Sequence, residues 1–409
     1  MSSNDRIFYA CQAVAITNHG DNSIEAVNGT DMVYGLQSVG MTTNFNLEQA
    51  FELGQIEIYE NIEGTPDIEV TLEKVLDGKP LIYHMASTGV VGGSLSGLTA
   101  RSKERCDLRL GIYDEQANSV SQAIGGSQAG KPEVEVYCSG LYVSSISYSI
   151  PVDGNATESV TLVGNNKTWL TGANVKIQDG SVVNFDGNDT PLLGVKNAAS
   201  GGIVRREDVL MSGTILPQSI RGVAGSGYGN GLNFDNGNNR VHVQSFSVST
   251  DFGREDILEL GRKTPYARPA NFPIEVSCEI EAITSSGDFV SAYEFGDTAL
   301  YGTIDSGNNT QNENIYVCVR QGYGFDLGNK NRLASVSYGG GDAGGGNASC
   351  TYSYTNFNDL DVQSIRHNAC TFGFGALKNG KAGVTKFSKN VGQGAFPDAL
   401  YAAGFMIGF

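Results

Sequence analysis

The residues able to do chemistry are few and scattered. The four histidines, His19, His84, His242 and His367, are far apart, and none has a second ligand at zinc-site spacing. His84 is close to Ser87, but the Ser-Thr-Gly there reads as loop. The run from Gly225 to Gly231 lacks the Gly-Lys-Ser/Thr ending of a phosphate loop, and no helical pattern follows it. Asp186-Gly-Asn-Asp189 is a fragment of a calcium loop without its closing glutamate, so a turn is expected. Seven cysteines, odd in number and without a Cys-x-x-Cys, point to reduced, mostly buried thiols. Carboxylates are abundant enough for a glycosidase pair. Nothing singles a pair out, though Glu69 with Glu73 recurs as Glu275 with Glu279. A symmetric duplicate suits a lining surface better than a catalytic centre. No catalytic residue, cofactor site or metal site is expected, and the chain does not read as an enzyme.

The duplicate belongs to a longer repeat. Leu36–Pro66 aligns with Val243–Pro273 without a gap. Gln37 and Ser38 meet Gln244 and Ser245, and Thr43 and Phe45 meet Thr250 and Phe252. Glu48 meets Glu255, and Glu52-Leu53-Gly54 meets Glu259-Leu260-Gly261. After a one-residue deletion Ile68-Glu69-Val70 meets Ile274-Glu275-Val276. Such a repeat sets the architecture. In each copy a first stretch alternates, as Phe246 and Val248 do against Ser245, Ser247 and Ser249, and predicts a half-buried strand. The second stretch reads as a short helix. Leu47, Ala50 and Phe51 fall at i, i+3 and i+4 before Gly54. Their counterparts are Ile257, Leu258 and Leu260 before Gly261. Leu47, Phe51 and Leu53 with Ile257, Leu258 and Leu260 are therefore expected to pack a helix against a sheet. The third stretch alternates again, with Ile68, Val70 and Leu72 opposite Glu69 and Glu73, and Ile274, Val276 and Cys278 opposite Glu275 and Glu279.

Composition fits this grammar. The chain has 409 residues, 40% of them hydrophobic, with 54 glycines and few long helical patterns, which predicts a mainly β protein. The formal charge is −17. A chain so acidic does not grip nucleic acid, which binds through basic groups, but it can stand beside it. The start, Met-Ser-Ser-Asn-Asp-Arg, carries no signal-peptide pattern, and no apolar run approaches membrane-span length, so a cytoplasmically made protein without a membrane is expected. Further strands are expected over Arg6–Ile16, Leu81–Met85, Leu108–Tyr113, Val134–Tyr137, Phe289–Tyr293, Ile315–Val319 and Cys350–Tyr354. A hairpin is expected from Leu141–Ile150 and Ser159–Val163. The organisation read from this is a first domain over 1–165, a connection over 166–203, a second domain over 204–385 and a C-terminal arm over 386–409. In the arm Phe396, Tyr401, Phe405 and Phe409 are expected to sit at a subunit contact.

The order of elements, with Glu-Leu-Gly before a proline and an Ile-Glu-Val strand, resembles the major tail tube proteins of long-tailed bacteriophages. The likeness is closest over Phe51–Asp77, and Ser144–Trp169 is similar to the family's closing strands. It covers most of 30–170 and, more weakly, about 243–375. The second copy departs from it at Arg262–Ala270, where the first has Gln55–Glu63. The resemblance implies two tandem tube-like β-sandwiches or partial barrels, each with a flanking helix. It implies rings of six such domains, hence of three chains, stacked into a hollow virion tube built in the host bacterial cytoplasm for DNA ejection. The partners it implies are further copies of the chain, a tape measure protein and DNA in the lumen, a terminator and a baseplate at the ends, and a sheath where the tail contracts. Glu69, Glu73, Glu275 and Glu279 would then line the channel. Another tail component of the same fold, a terminator or baseplate hub, fits the same elements, and a glycan-binding adhesive sandwich is the reading from a different class.

Overall fold

The computed structural model describes residues 6–7, 12–20, 32–54, 56–77, 80–87, 97–113, 132–177, 203–206, 209–210, 241–284, 315–319, 323–328, 330–341 and 346–363. The protein is mainly β, with large antiparallel sheets. In chain order the strands are β1 (Gln12–Asn18), β2 (Leu36–Asn44), β3 (Leu47–Phe51), β4 (Ile58–Glu63) and β5 (Asp67–Val75). Two short helices follow, α1 (Ile82–Ala86) and α2 (Leu98–Arg101). Then come β6 (Cys106–Ile112), β7 (Val134–Pro151), β8 (Thr157–Gly164), β9 (Asn166–Thr171), β10 (Val209–Leu210), β11 (Val241–Asp251) and β12 (Glu275–Thr284). The last are β13 (Tyr316–Val319), β14 (Tyr323–Asp326), β15 (Arg332–Gly339), β16 (Ser349–Phe357) and β17 (Asp361–Gln363).

One sheet organises the rest. Its main path runs β15-β16-β12-β11-β7-β8-β5-β2, every pairing along it antiparallel. Strict alternation gives each strand one apolar face, as in β8, where Glu158, Val160 and Leu162 are buried between half-exposed Thr157, Ser159 and Thr161. The 18-residue β7 serves two layers. Its second half lies in the main path, and its first half pairs with β6 and β9. Between the halves Gly140 adopts φ +67, where a side chain would be strained. The core is continuous across the chain, from Val14, Leu72 and Tyr83 through Tyr148 and Phe246 to Phe325 and Tyr354. Phe325, on the small sheet β10-β13-β14-β17, meets Tyr148 and Phe246 at ring distances of 4.8 and 6.3 Å.

Two expectations are corrected. Leu47–Leu53 is not a helix on a sheet. It is β3 and its turn, paired with β4 in a separate hairpin. Leu47, Phe51 and Leu53 are exposed, the last fully, and so are Ile257, Leu258 and Leu260 in the matching segment. The apolar spacing fitted a helix over so few residues that it could not exclude a strand, and β4 supplies the pairing partner. Leu81–Met85 is not a strand but α1 with its lead-in residue. The Glu158 carboxylate on β8 accepts the first N–H groups of this helix, from Ile82 at 2.7 Å and Tyr83 at 3.1 Å. The run from Gly225 to Gly231, the strand expected at 289–293, Asp186–Asp189, and the arm with Phe396, Tyr401, Phe405 and Phe409 lie outside the described residues.

Candidate functional site

The exposed face of the main path is largely polar, with half-exposed Val163 and Ile283 and exposed Phe357 as apolar exceptions. From β7 it shows Ser145, Ser147 and Ser149, and from β11 Ser245, Ser247 and Ser249. Thr157, Ser159 and Thr161 come from β8, and Thr351, Ser353 and Thr355 from β16. Onto this hydroxyl surface β5 and β12 set the carboxylates. Glu69 and Glu73 are exposed beside buried Val70 and Leu72, and Glu275 and Glu279 are exposed beside buried Val276 and Cys278. Ser38 donates to Glu73 at 3.4 Å, and Ser245 donates to Glu281 at 3.4 Å. In these eight strands the only Lys or Arg residues are Lys74 and Arg332. Lys74 is buried and bonded to Asp77 and the Tyr34 carbonyl, and Arg332 sits at one end of β15. Among the described residues none of the four glutamates has an ion-pair partner. The face can repel a polyanion, and little on it can hold one.

Among the described residues the sheet ends in two edges, β2 bonded only to β5 and β15 bonded only to β16. Midway, β7 meets β11, with Ser149 opposite Ser247 and Ser147 opposite Ser249. This junction is held by the segment after β11. Phe252 is 1% exposed, and its N–H donates to the Ser144 carbonyl at 2.8 Å. The Arg254 guanidinium donates to the carbonyls of Val143, Ser102 and Arg268 at 2.9, 2.7 and 2.9 Å, and lies 5.0 Å from the Tyr142 ring centre. Burial pulls its pKa down to about 10, still protonated near neutrality. Arg268 donates to Asp67 at 2.6 Å and to Asp256 at 2.8 Å. Sequence reasoning passed over both arginines. The available signal was a difference between the copies, since the matched residues are Leu47 and Asn61.

The segments that follow β2 and β11 share details beyond sequence. Asn46 and Gly253 have φ of 48° and 52°, and Gly54 and Gly261 have 95° and 88°. Ala50 pairs with Glu60, and Ile257 with Ala267, at matched positions. Register shifts fall at Leu36/Ser38 and at Val243/Ser245.

The remaining chemical candidates are spread through the fold. His84 is buried and bonded to the Val362 carbonyl at 2.8 Å. Asp107 is bonded to His19, Gly20, Tyr137 and Gly140. Trp169 stands exposed on β9. Among the described residues no group of three His, Cys, Asp or Glu residues is placed to hold a metal, and no helix is long and apolar enough to cross a membrane.

No family model and no curated protein matches the chain. Among solved structures it is similar to the tube-terminating cap of the anti-feeding prophage, at 15% identity and a TM-score of 0.29 over 42% of this chain and 95% of that one. It is also similar to a chain of the sheath–tube complex of the PVC extracellular contractile injection system, at 12% identity and a TM-score of 0.28 over 42% and 95%. The sheath/tube terminator of the same system matches at 13% identity and a TM-score of 0.28 over 42% and 100%.

Proposed function

We propose that the chain is a structural protein of a phage-type tail, carrying a duplicated tube domain, whose copies close edge to edge into rings that stack as a hollow tube for DNA. The observation that carries this reading is the pair of edges left open among the described residues. By the sequence repeat β2 corresponds to β11. By order and hairpin connection β15-β16 corresponds to β7-β8. The pairing of β7 with β11 inside one chain is thus a template for β15 of one chain with β2 of the next. Transferring the register puts Thr42 opposite Ser335 and Gly40 opposite Ser337. Such closure removes edges that would otherwise recruit strands unselectively. Two different edges make a head-to-tail contact, which forms a ring when its rotation closes. Three chains supply a barrel of about 24 strands, roughly 50 Å across at the backbone. With the apolar face turned to the core layers, the hydroxyl and carboxylate face lines the lumen, Glu69, Glu73, Glu275 and Glu279 with it. Neighbours in this reading are a tape measure protein and DNA inside, a terminator and a baseplate at the ends, and a sheath if the tail contracts.

The test is a Thr42→Cys, Ser335→Cys double variant oxidised under assembly conditions. Those positions are at opposite ends of one sheet, so a disulfide between them joins different chains. Covalent dimers ending in a covalent trimer are expected, with rings in electron micrographs. Monomers alone would end the edge-pairing reading, and a ladder running past trimer would replace the three-chain ring.

A further inference from the structure

Two aligned aromatics, Phe45 and Phe252, have opposite environments: Phe252 is 1% exposed and Phe45 is 61% exposed. The difference tracks what lies beside each strand. Phe252 follows β11, which has a neighbour in β7, whereas Phe45 follows β2, which has none on that side among the described residues. The segment from Phe252 to Phe272 lies on the first half of the chain. Its contacts there are Phe252 N–H to Ser144, Arg254 to Val143 and Ser102, Arg268 to Asp67, and Thr65 Oγ1 to the Lys263 carbonyl. Its counterpart, the β3-β4 hairpin, exposes Leu47, Phe51, Ile58, Tyr59 and Ile62 together with Phe45. An exposed apolar strand pair of this kind marks a contact surface.

We infer that Phe45 and the β3-β4 hairpin dock laterally on the start of β15, around Asn331–Leu333, in a second copy of this chain. This rests on the ring reading above and adds which side chains seal its joint. The site follows from register. Phe252 donates to the carbonyl one residue before Ser145, and Ser145 stands opposite Thr161. In the second hairpin Arg332 stands opposite Thr355, the residue facing Ser277 on β12 as Thr161 faces Thr71 on β5. The matched position is therefore Asn331, itself buried, so the surface the hairpin meets is exposed Arg332 and half-exposed Leu333 beside it.

The two joints also differ chemically, in a way that fits their timing. The internal joint forms once, as the chain folds, and can hold a buried arginine that needs three carbonyls. The joint between chains puts Leu47 where Arg254 stands. An apolar contact there can stay hydrated in the free chain and close late, with no buried charge to desolvate.

A photoreactive phenylalanine analogue at position 45 of the full chain tests this under assembly conditions. Crosslinks to 330–334 of another chain are expected. In parallel, Phe45→Ser should leave the unfolding midpoint of the unassembled chain unchanged and weaken ring formation at least about 30-fold, as for a central contact residue. Crosslinks to residues 386–409, or to the hairpin of another copy, in well-formed rings would overturn the docking site and leave the ring standing. Failure of both the rings and the Thr42–Ser335 disulfide would overturn the ring and the docking together.

Discussion

At the scale of single residues, burial separates side chains that the sequence treats alike. Phe51→Ala in the unassembled chain is expected to change stability by less than about 0.5 kcal/mol, because the ring is already in water. Phe246→Ala, from a ring packed on Phe325, should cost about 3–5 kcal/mol. Denaturant unfolding of the two variants side by side checks the contrast. Buried carboxylates add a pH dependence. Burial alone pushes the Asp107 carboxyl up, but hydrogen bonds from His19, Gly140, Gly20 and Tyr137 together hold it below its ordinary value. Its stabilising contribution is therefore present above the unfolded-state pKa of about 4 and is lost as pH falls through the lower folded value. Glu158 runs the other way. Burial raises its pKa despite bonds from Ile82, Tyr83 and Tyr148 and the nearby Lys74 charge, so its contribution fades as pH rises through the folded value. Asp107→Asn should lower stability at pH 7 and remove part of the loss seen in acid titrations followed by circular dichroism. An unaltered acid limb would refute the assignment. The Glu69 and Glu275 positions could be read from alternation, since a strand has only two faces. Asp107 and Glu158 could not, because their partners come from residues between 10 and 88 positions away.

At the scale of elements, the strands that alternate cleanly were readable, β5, β12 and the β7-β8 hairpin above all. Their period of two fixes both type and face. Leu47–Phe51 was not, because its apolar residues satisfy a helical spacing as well as a strand and its partner is supplied by β4. Leu81–Met85 was misread for a related reason. Leu81, Ile82 and Tyr83 suit a strand locally, and the acceptor for the α1 N-terminus arrives from β8. The base of the β3-β4 hairpin gives a direct check on the element. A Cβ on Gly64 would sit 2.5 Å from the Asn46 carbonyl oxygen, and the Gly64 N–H donates to that same oxygen at 3.1 Å. Gly64→Ala must open this closure. Amide exchange in Leu47–Phe51 and Ile58–Glu63 should accelerate at least about tenfold, the mark of local rather than global opening, while β5 and β8 keep their protection. Acceleration spreading into β8 would show that the hairpin is coupled to the core.

At the scale of the whole molecule, a repeat could be read from the sequence, but the junction of β7 with β11 could not. Nothing in the alignment shows that β11 completes β7 from inside the chain while β2, among the described residues, is left as an edge. That follows from strand order alone. The open edges make charge on the sheet face a collective property. In the ring proposed above each added chain would repeat the same four glutamates, with almost no basic group among them, and so concentrate one sign of charge on one wall. If that wall is the lumen, its charge can be altered without altering assembly, because Glu69 and Glu275 project from the face and not from an edge. Glu69→Lys with Glu275→Lys should leave rings and tubes of unchanged diameter in electron micrographs. Wild-type tubes should retain no double-stranded DNA, because contact releases no counterions. The variant tubes should retain it at low salt and release it steeply as salt rises, in proportion to the phosphates neutralised. In particles the same pair should slow DNA passage. Well-formed variant tubes that still ignore DNA would put these glutamates on the outer surface and end the lumen assignment, and variant chains that no longer assemble would show instead that the carboxylates serve the ring itself.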